Sequence, residues 1–279
     1  MRPEMLDKLN RVRTQALASG VPSPDVERWL AAARPCATLA TDVDGPVVGR
    51  LGGPVLLPAD APDIPERLRL IASLDLAAIP EAATNLPLPP DGHLLLFAHI
   101  DVEECDASGE ALYVPAGTPV TERPRNHGPA SNHPWSDTDH LLHGELRLQY
   151  DVSLPDNSVL YDPARHPHAA ELRRAWSQVR YEDWGRLKGT HLQIDGYSTD
   201  SYGEADPVTA SASWAAEAAG EAQDRGAGPW ELPGPEDWAL LAQWSGRIDG
   251  YVYWTIARKD VAARQFDRAS VLGFFEGPL

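Results

Sequence analysis

Residues 145–154 read Glu145-Leu-Arg-Leu-Gln-Tyr-Asp-Val-Ser-Leu154. Leu146, Leu148, Tyr150, Val152 and Leu154 alternate with Glu145, Arg147, Gln149, Asp151 and Ser153. Successive side chains of a strand point to opposite faces, so this stretch is expected to be a strand with one apolar face and one polar face. That is the pattern of an antiparallel sheet packed on one side and wet on the other.

Upstream, short apolar runs broken by Gly, Pro and Asp read as further strands and turns. Three such units are Arg50-Leu-Gly-Gly-Pro-Val-Leu-Leu-Pro58, Leu68-Arg-Leu-Ile-Ala-Ser-Leu-Asp-Leu76 and Asp91-Gly-His-Leu-Leu-Leu-Phe-Ala-His-Ile-Asp101. Downstream the same order returns. Ile194-Asp-Gly-Tyr197 resembles Leu51-Gly-Gly-Pro54, and Leu240-Leu-Ala-Gln243 resembles Leu70-Ile-Ala-Ser73. Asp249-Gly-Tyr-Val-Tyr-Trp-Thr255 resembles Asp91-Gly-His-Leu-Leu-Leu-Phe97. A repeated order of motifs points to an internal repeat, with halves at about 48–105 and 190–275. Within it, Leu94, Leu96, Ala98 and Ile100 share a face, as do Val252, Trp254 and Ile256, and those faces are expected in the core. The opposite faces, with His93, Leu95, Phe97 and His99 in one copy and Tyr251, Tyr253, Thr255 and Ala257 in the other, line a groove or pack under a loop.

Residues 1–35 read as helical. Leu6, Leu9, Val12 and Leu17 recur near helical spacing, and Ser23-Pro24 resembles an N-cap with proline at the first helical position. Val26, Trp29 and Leu30 give the second helix an apolar face. Leu172, Trp176 and Val179 mark a further helix over 168–180, and the alanine-rich stretch 210–228 another. The expected architecture is α+β. Duplicated, mainly antiparallel halves pack into one body over 36–279, with the 1–35 helices as a cap or partner-docking element.

The 279 residues are 43% hydrophobic, enough for a sizeable core. Lys plus Arg number 24 against 41 Asp plus Glu, a net charge of −17. That surface repels phosphate backbones and anionic lipid, so nucleic acid and membrane surfaces are poor partners. Cys36 and Cys105 have no metal-ligand spacing and form no disulfide framework. No apolar h-region opens the chain and no run is long enough to span a bilayer, so the expected location is the cytoplasm.

Several of these residues resemble the YwqG-like family, a bacterial domain of unknown function. They are Arg50-Leu-Gly-Gly-Pro with Leu56-Leu-Pro, Leu86-Pro-Leu-Pro-Pro-Asp-Gly-His-Leu-Leu-Leu-Phe97, Gln193-Ile-Asp-Gly-Tyr197, Leu240-Leu-Ala-Gln-Trp244, Asp249-Gly-Tyr-Val-Tyr-Trp-Thr-Ile-Ala-Arg-Lys-Asp260 and Phe266-Asp-Arg-Ala-Ser-Val271. The resemblance runs from Val48 to Phe275. It implies a duplicated α+β fold with mainly antiparallel sheets and no established activity. Ser73 stands where the family has Gln, which Gln243 keeps in the second copy. Leu192 takes the place of a family histidine, and Asp195 replaces the first glycine of a pair.

No complete catalytic, metal or phosphate-binding motif is present. The stretch 126–143 gathers His127, His133, Asp137, Asp139, His140 and His143, residue types that suit a divalent metal, but no helical ligand pair such as His-Glu-x-x-His appears. His127, His133, Asp137 and His140 are the metal candidates, and no cofactor is expected. Ser198, with His191 and Asp200 near it in sequence, is the one approach to a hydrolase triad, and no Gly-x-Ser-x-Gly elbow supports it. Asp195 and Asp249 sit at matching turns as a possible acid–base pair. Eight of nine tryptophans lie from Trp135 onward. Tryptophan and tyrosine suit recognition, because each joins an apolar face to a polar edge. Arg50, Asp195, Tyr197, Gln243, Trp244 and Tyr251 are therefore the ligand-facing candidates. The expected function is non-enzymatic binding of a protein or small molecule at the seam between the repeats. The alternative is a hydrolase-like or metal-assisted enzyme using 126–143. The ligand, partner and oligomeric state are left open, as is a role for the N-terminal helices in self-association.

Overall fold

Helices α1 (Pro3–Ala18) and α2 (Ser23–Leu30) open the chain. Seven strands follow: β1 (Arg34–Ala40), β2 (Val47–Leu51), β3 (Val55–Pro58), β4 (Arg69–Asp75), β5 (His93–Asp101), β6 (Asp106–Val114) and β7 (Val120–Arg123). Then come β8 (Glu145–Ser153), α3 (Ala169–Trp184), β9 (His191–Ile194), α4 (Pro207–Asp224), β10 (Trp238–Ser245), β11 (Gly250–Ala257), α5 (Arg258–Ala262) and β12 (Ser270–Phe275). This is a computed structural model, and it describes residues 1–101, 106–123, 142–187, 189–199, 205–224, 235–245 and 250–275.

Ten strands form one antiparallel sheet in the order β12-β11-β10-β9-β1-β8-β2-β4-β5-β6, and β3 and β7 form a separate ribbon. The end strands β6 and β12 lie alongside each other, so the sheet curls nearly into a barrel. Trp254 crosses the closure from β11: its indole N–H is shared by the carbonyl oxygens of Phe97 at 3.2 Å and Glu110 at 3.3 Å. The class is α+β, a large antiparallel sheet with helices at its N-terminus.

Curling buries both faces of most strands. Leu94, Leu96, Ala98, Val252, Trp254 and Ile256 meet in the main core, as their alternation predicts. Ile100 is only partly buried against it. On the opposite faces His93 is exposed and His99 half-buried, while the large apolar and aromatic side chains pack. Leu95 and Phe97 are buried with Leu57 and Leu70, and Tyr251 and Tyr253 with Leu240 and Leu272.

Two stretches of the sheet keep matching registers. Arg50 lies opposite Ser73 on β2 and β4, as Gln193 lies opposite Gln243 on β9 and β10. Ser73 in turn faces Leu95, as Gln243 faces Tyr253. The β4–β5 ladder slips between Leu70 and Ala72, and the β10–β11 ladder slips between Leu240 and Ala242. β1 and β8 pair at the centre, β1 next to the later strands and β8 next to the earlier ones.

The polar face expected to be wet on β8 is wet through Gln149 and covered beyond it. Glu145 is exposed, but Asp151 lies under α1, where Lys8 meets it at 2.7 Å and the Thr38 hydroxyl donates to it at 2.8 Å. α1 turns Met5, Lys8, Leu9, Val12 and Ala16 inward. Leu6 and Leu17 are 48% and 42% exposed, against the expectation that they share the buried face. α2 begins at Ser23, with Pro22 in the capping position that the sequence assigned to Ser23. α1 and α2 share one apolar cluster with Leu172, Trp176 and Val179 of α3, so residues 1–35 are built into the body.

Candidate functional site

β9 places Leu192 and Ile194 in the main core and turns His191 and Gln193 the other way. It ends in a tight turn at Asp195 and Gly196, with φ of 64° and 83°. Left-handed backbone is costly for most side chains and tolerable for aspartate, whose carboxylate bonds locally. The matching turn after β2 uses Gly52 and Gly53.

The irregular segment 195–199 is held by side chains. Gln193 Nε2 donates to the carbonyls of Asp195 at 2.9 Å and Tyr197 at 2.8 Å. Tyr197 N–H donates to Ser153 Oγ at 2.8 Å. Thr199 N–H donates to Gln243 Oε1 at 2.8 Å, and Gln243 Nε2 donates to Thr199 Oγ1 at 2.9 Å. Tyr253 O–H donates to the Thr199 carbonyl at 2.9 Å. Asn85 N–H donates to Asp195 Oδ2 at 2.5 Å, tying the turn to the earlier part of the chain. Burial raises the Asp195 carboxyl above the usual aspartate range, against the pull of the Gly196 and Asn85 amides.

Beside this loop lies a cleft of about 180 Å³, lined by Arg34, Tyr197, Ser198, Asp206, Trp238 and Leu240 among others. The Arg34 guanidinium stacks 4.2 Å from the centre of the Tyr197 ring. Tyr197 O–H donates to the Ala32 carbonyl at 3.1 Å, and burial raises its phenol. Asp206 is buried and caps α4, accepting from Thr209 N–H and Oγ1 at 2.9 Å each. Its other oxygen accepts from Ser198 Oγ at 2.6 Å.

Of the six ligand-facing candidates, Asp195, Tyr197 and Gln243 come together around the loop. Arg50 is exposed on β2, with its guanidinium against Gly53. Trp244 is buried in the main core, on the face of β10 opposite Gln243. Tyr251 packs beside Trp184, ring centres 6.3 Å apart. Ser198 bonds to Asp206 and makes no hydrogen bond to His191, so the triad does not assemble among the described residues. Asp200, Asp249, Cys105, His127, His133, Asp137, Asp139 and His140 lie outside the described residues; His143 is exposed. Among the described residues no three His, Cys, Asp or Glu side chains are placed to hold a metal ion.

Sequence reasoning missed Arg34, Gln193 and Asp206. Asp206-Pro207 carries a readable signal, a capping residue before proline at the first helical position. Arg34 carries none, since its stacking on Tyr197 joins residues far apart in the chain.

A family model described as a domain of unknown function, DUF1963, matches residues 49–272. The chain belongs to that family. No curated protein matches it. Among the described residues no helix is long and apolar enough to cross a membrane.

Proposed function

We propose that this member of the DUF1963 family is a non-enzymatic binding protein that holds a small polar molecule in the cleft beside Tyr197. The observation that carries the reading is the loop 195–199, whose polar groups are held by the protein's own Gln193, Gln243, Ser153 and Tyr253. A floor ordered in advance lowers the entropic cost of binding. The cleft offers an exposed Arg34 for an acceptor group and a wall of Trp238 and Leu240 for an apolar one. Ser198 donates to Asp206, whose other oxygen caps α4, and no histidine among the described residues bonds to either, which favours recognition over nucleophilic attack.

The reading includes a gene duplication, with the binding loop at the seam. The matching registers of Arg50 with Ser73 and Gln193 with Gln243 support it, as do the matching slips in β4 and β10. On this account β1 and β8 are counterparts that exchanged places at the centre of the sheet. The finer likeness to the YwqG-like family and a cytoplasmic location belong to the same proposal, supported by the ordered motifs and the acidic composition.

Native mass spectrometry of the gently purified full chain tests it. The expected result is a retained small molecule that is lost in Arg34→Ala, an exposed position whose replacement leaves the fold intact. A clean apo mass, together with no thermal shift on adding a small-molecule extract of the native cell, would overturn the reading.

A further inference from the structure

A second polar cluster lies under the last two turns of α3. Arg180 is 2% exposed, and its Nη1 donates to Asp156 Oδ2 at 2.5 Å. Three rings surround its guanidinium, with centres at 5.0 Å for Trp184, 5.1 Å for Tyr181 and 5.8 Å for Trp176. Nε and Nη2 are buried and have no hydrogen-bond partner among the described residues. Those two nitrogens form one edge of the planar group, and their N–H bonds run parallel. An arginine uses such an edge to receive two oxygens of a carboxylate or phosphate at once.

The surroundings extend the same pattern. His191, Ser245 and Tyr251 sit in register across β9, β10 and β11, so their side chains share the face beneath α3. Trp184 roofs this row, 4.7 Å from the His191 ring and 6.3 Å from Tyr251. His191 Nε2 is buried and lacks a partner among the described residues. Buried polar groups are nearly always satisfied, so unpartnered atoms on Arg180 and His191, both packed against Trp184, need an explanation. Asp156 neutralises Arg180 through Nη1 alone, leaving the parallel Nε–Nη2 edge unspent.

We propose that the Nε–Nη2 edge of Arg180 is the receiving end of a binding site for an oxyanion, a carboxylate or a phosphate, with His191 as its further polar partner and Trp184 as its roof. It shares no residue with the lining of the cleft beside Tyr197, so the two readings stand or fall separately.

The test is a ¹H–¹⁵N spectrum of the arginine Nε–H region of the full chain, titrated with sodium acetate, sodium phosphate or sodium chloride at matched ionic strength. The Arg180 resonance is assigned by its contacts to the Trp184 ring and by its loss in Arg180→Lys. The expected result is a saturable shift with acetate, phosphate or both, and none with chloride. Acetate alone would place the site with carboxylate ligands, and phosphate alone with phosphorylated ones. Arg180→Lys keeps the charge and removes the fork, so binding followed by tryptophan fluorescence should weaken at least tenfold. If that variant does not fold, the wild-type titration decides by itself. An Arg180 resonance that ignores both oxyanions, or answers chloride equally, would overturn the proposal and leave the edge to an internal water.

Discussion

Gln193 and Gln243 lie opposite each other on β9 and β10, and between them they hold both ends of the loop 195–199. The positions differ in what they secure. Gln193 bonds two backbone carbonyls, whereas Gln243 satisfies the N–H and the hydroxyl of Thr199. Gln243→Leu keeps the volume and strands both Thr199 groups in a buried site. Each orphaned group costs about 1–3 kcal/mol, so a loss of roughly 3 kcal/mol is expected in urea unfolding with an unchanged slope. A loss below about 0.5 kcal/mol would mean that the glutamine does not secure the loop.

Asp195 predicts a rise in stability on removing its charge. Its folded carboxyl titrates above the usual aspartate range because it is buried. A raised folded value means the folded state holds the proton more tightly than the unfolded chain. This group's contribution is therefore fully present below the unfolded aspartate value and is lost as pH rises through the folded one. Asp195→Asn keeps an oxygen for the Asn85 N–H and tolerates left-handed backbone. The variant should melt at or above the wild-type temperature at neutral pH, with its advantage shrinking as the pH falls. Melting curves across that range check both the sign and the trend.

The sequence made the strands legible where one face differs from the other, as in Leu146 and Leu148 against Glu145. It was less informative where both faces are buried. Leu95 and Phe97 read as groove or loop contacts because nothing local announces that the sheet curls and that Leu57 of β3 and Leu68 pack over them. Asp151 read as wet for a similar reason. A carboxylate's partner, here Lys8 in the first helix, is set by packing across 143 residues. The candidate site was half legible. Asp195, Tyr197 and Gln243 stood out through the repeat, whereas Trp244 drew attention as an aromatic in the same motif and is core. Period-two alternation says that Gln243 and Trp244 face opposite ways, but not which face carries the cleft.

His191 predicts acid sensitivity of the opposite sign. Burial holds its imidazole down to about 4, from an ordinary 6.5. The charged groups acting on it are Asp151 of β8, Lys8 of α1, Arg180 of α3 and Asp42 after β1. A depressed histidine contributes stability above the unfolded value and loses it as the pH falls toward the folded one. The shift corresponds to about 3 kcal/mol, lost progressively between pH 6.5 and 4. His191→Gln should flatten that part of the stability profile, and an unchanged slope would show that other groups drive the acid transition.

Trp254 predicts where the curled sheet opens. Its indole N–H reaches from β11 to carbonyls on β5 and β6, the pair at the far end of the strand order. Trp254→Phe keeps an aromatic ring in the core and removes the shared donor. The lost bond and the smaller ring together should cost about 2–4 kcal/mol. The distribution of the effect is more telling than its size. Hydrogen exchange should accelerate first in β6 and β12, which lie side by side at the closure, while β1 and β8 at the centre keep their protection. Uniform acceleration across all ten strands would mean that the indole stabilises the core in general and does not fasten the closure.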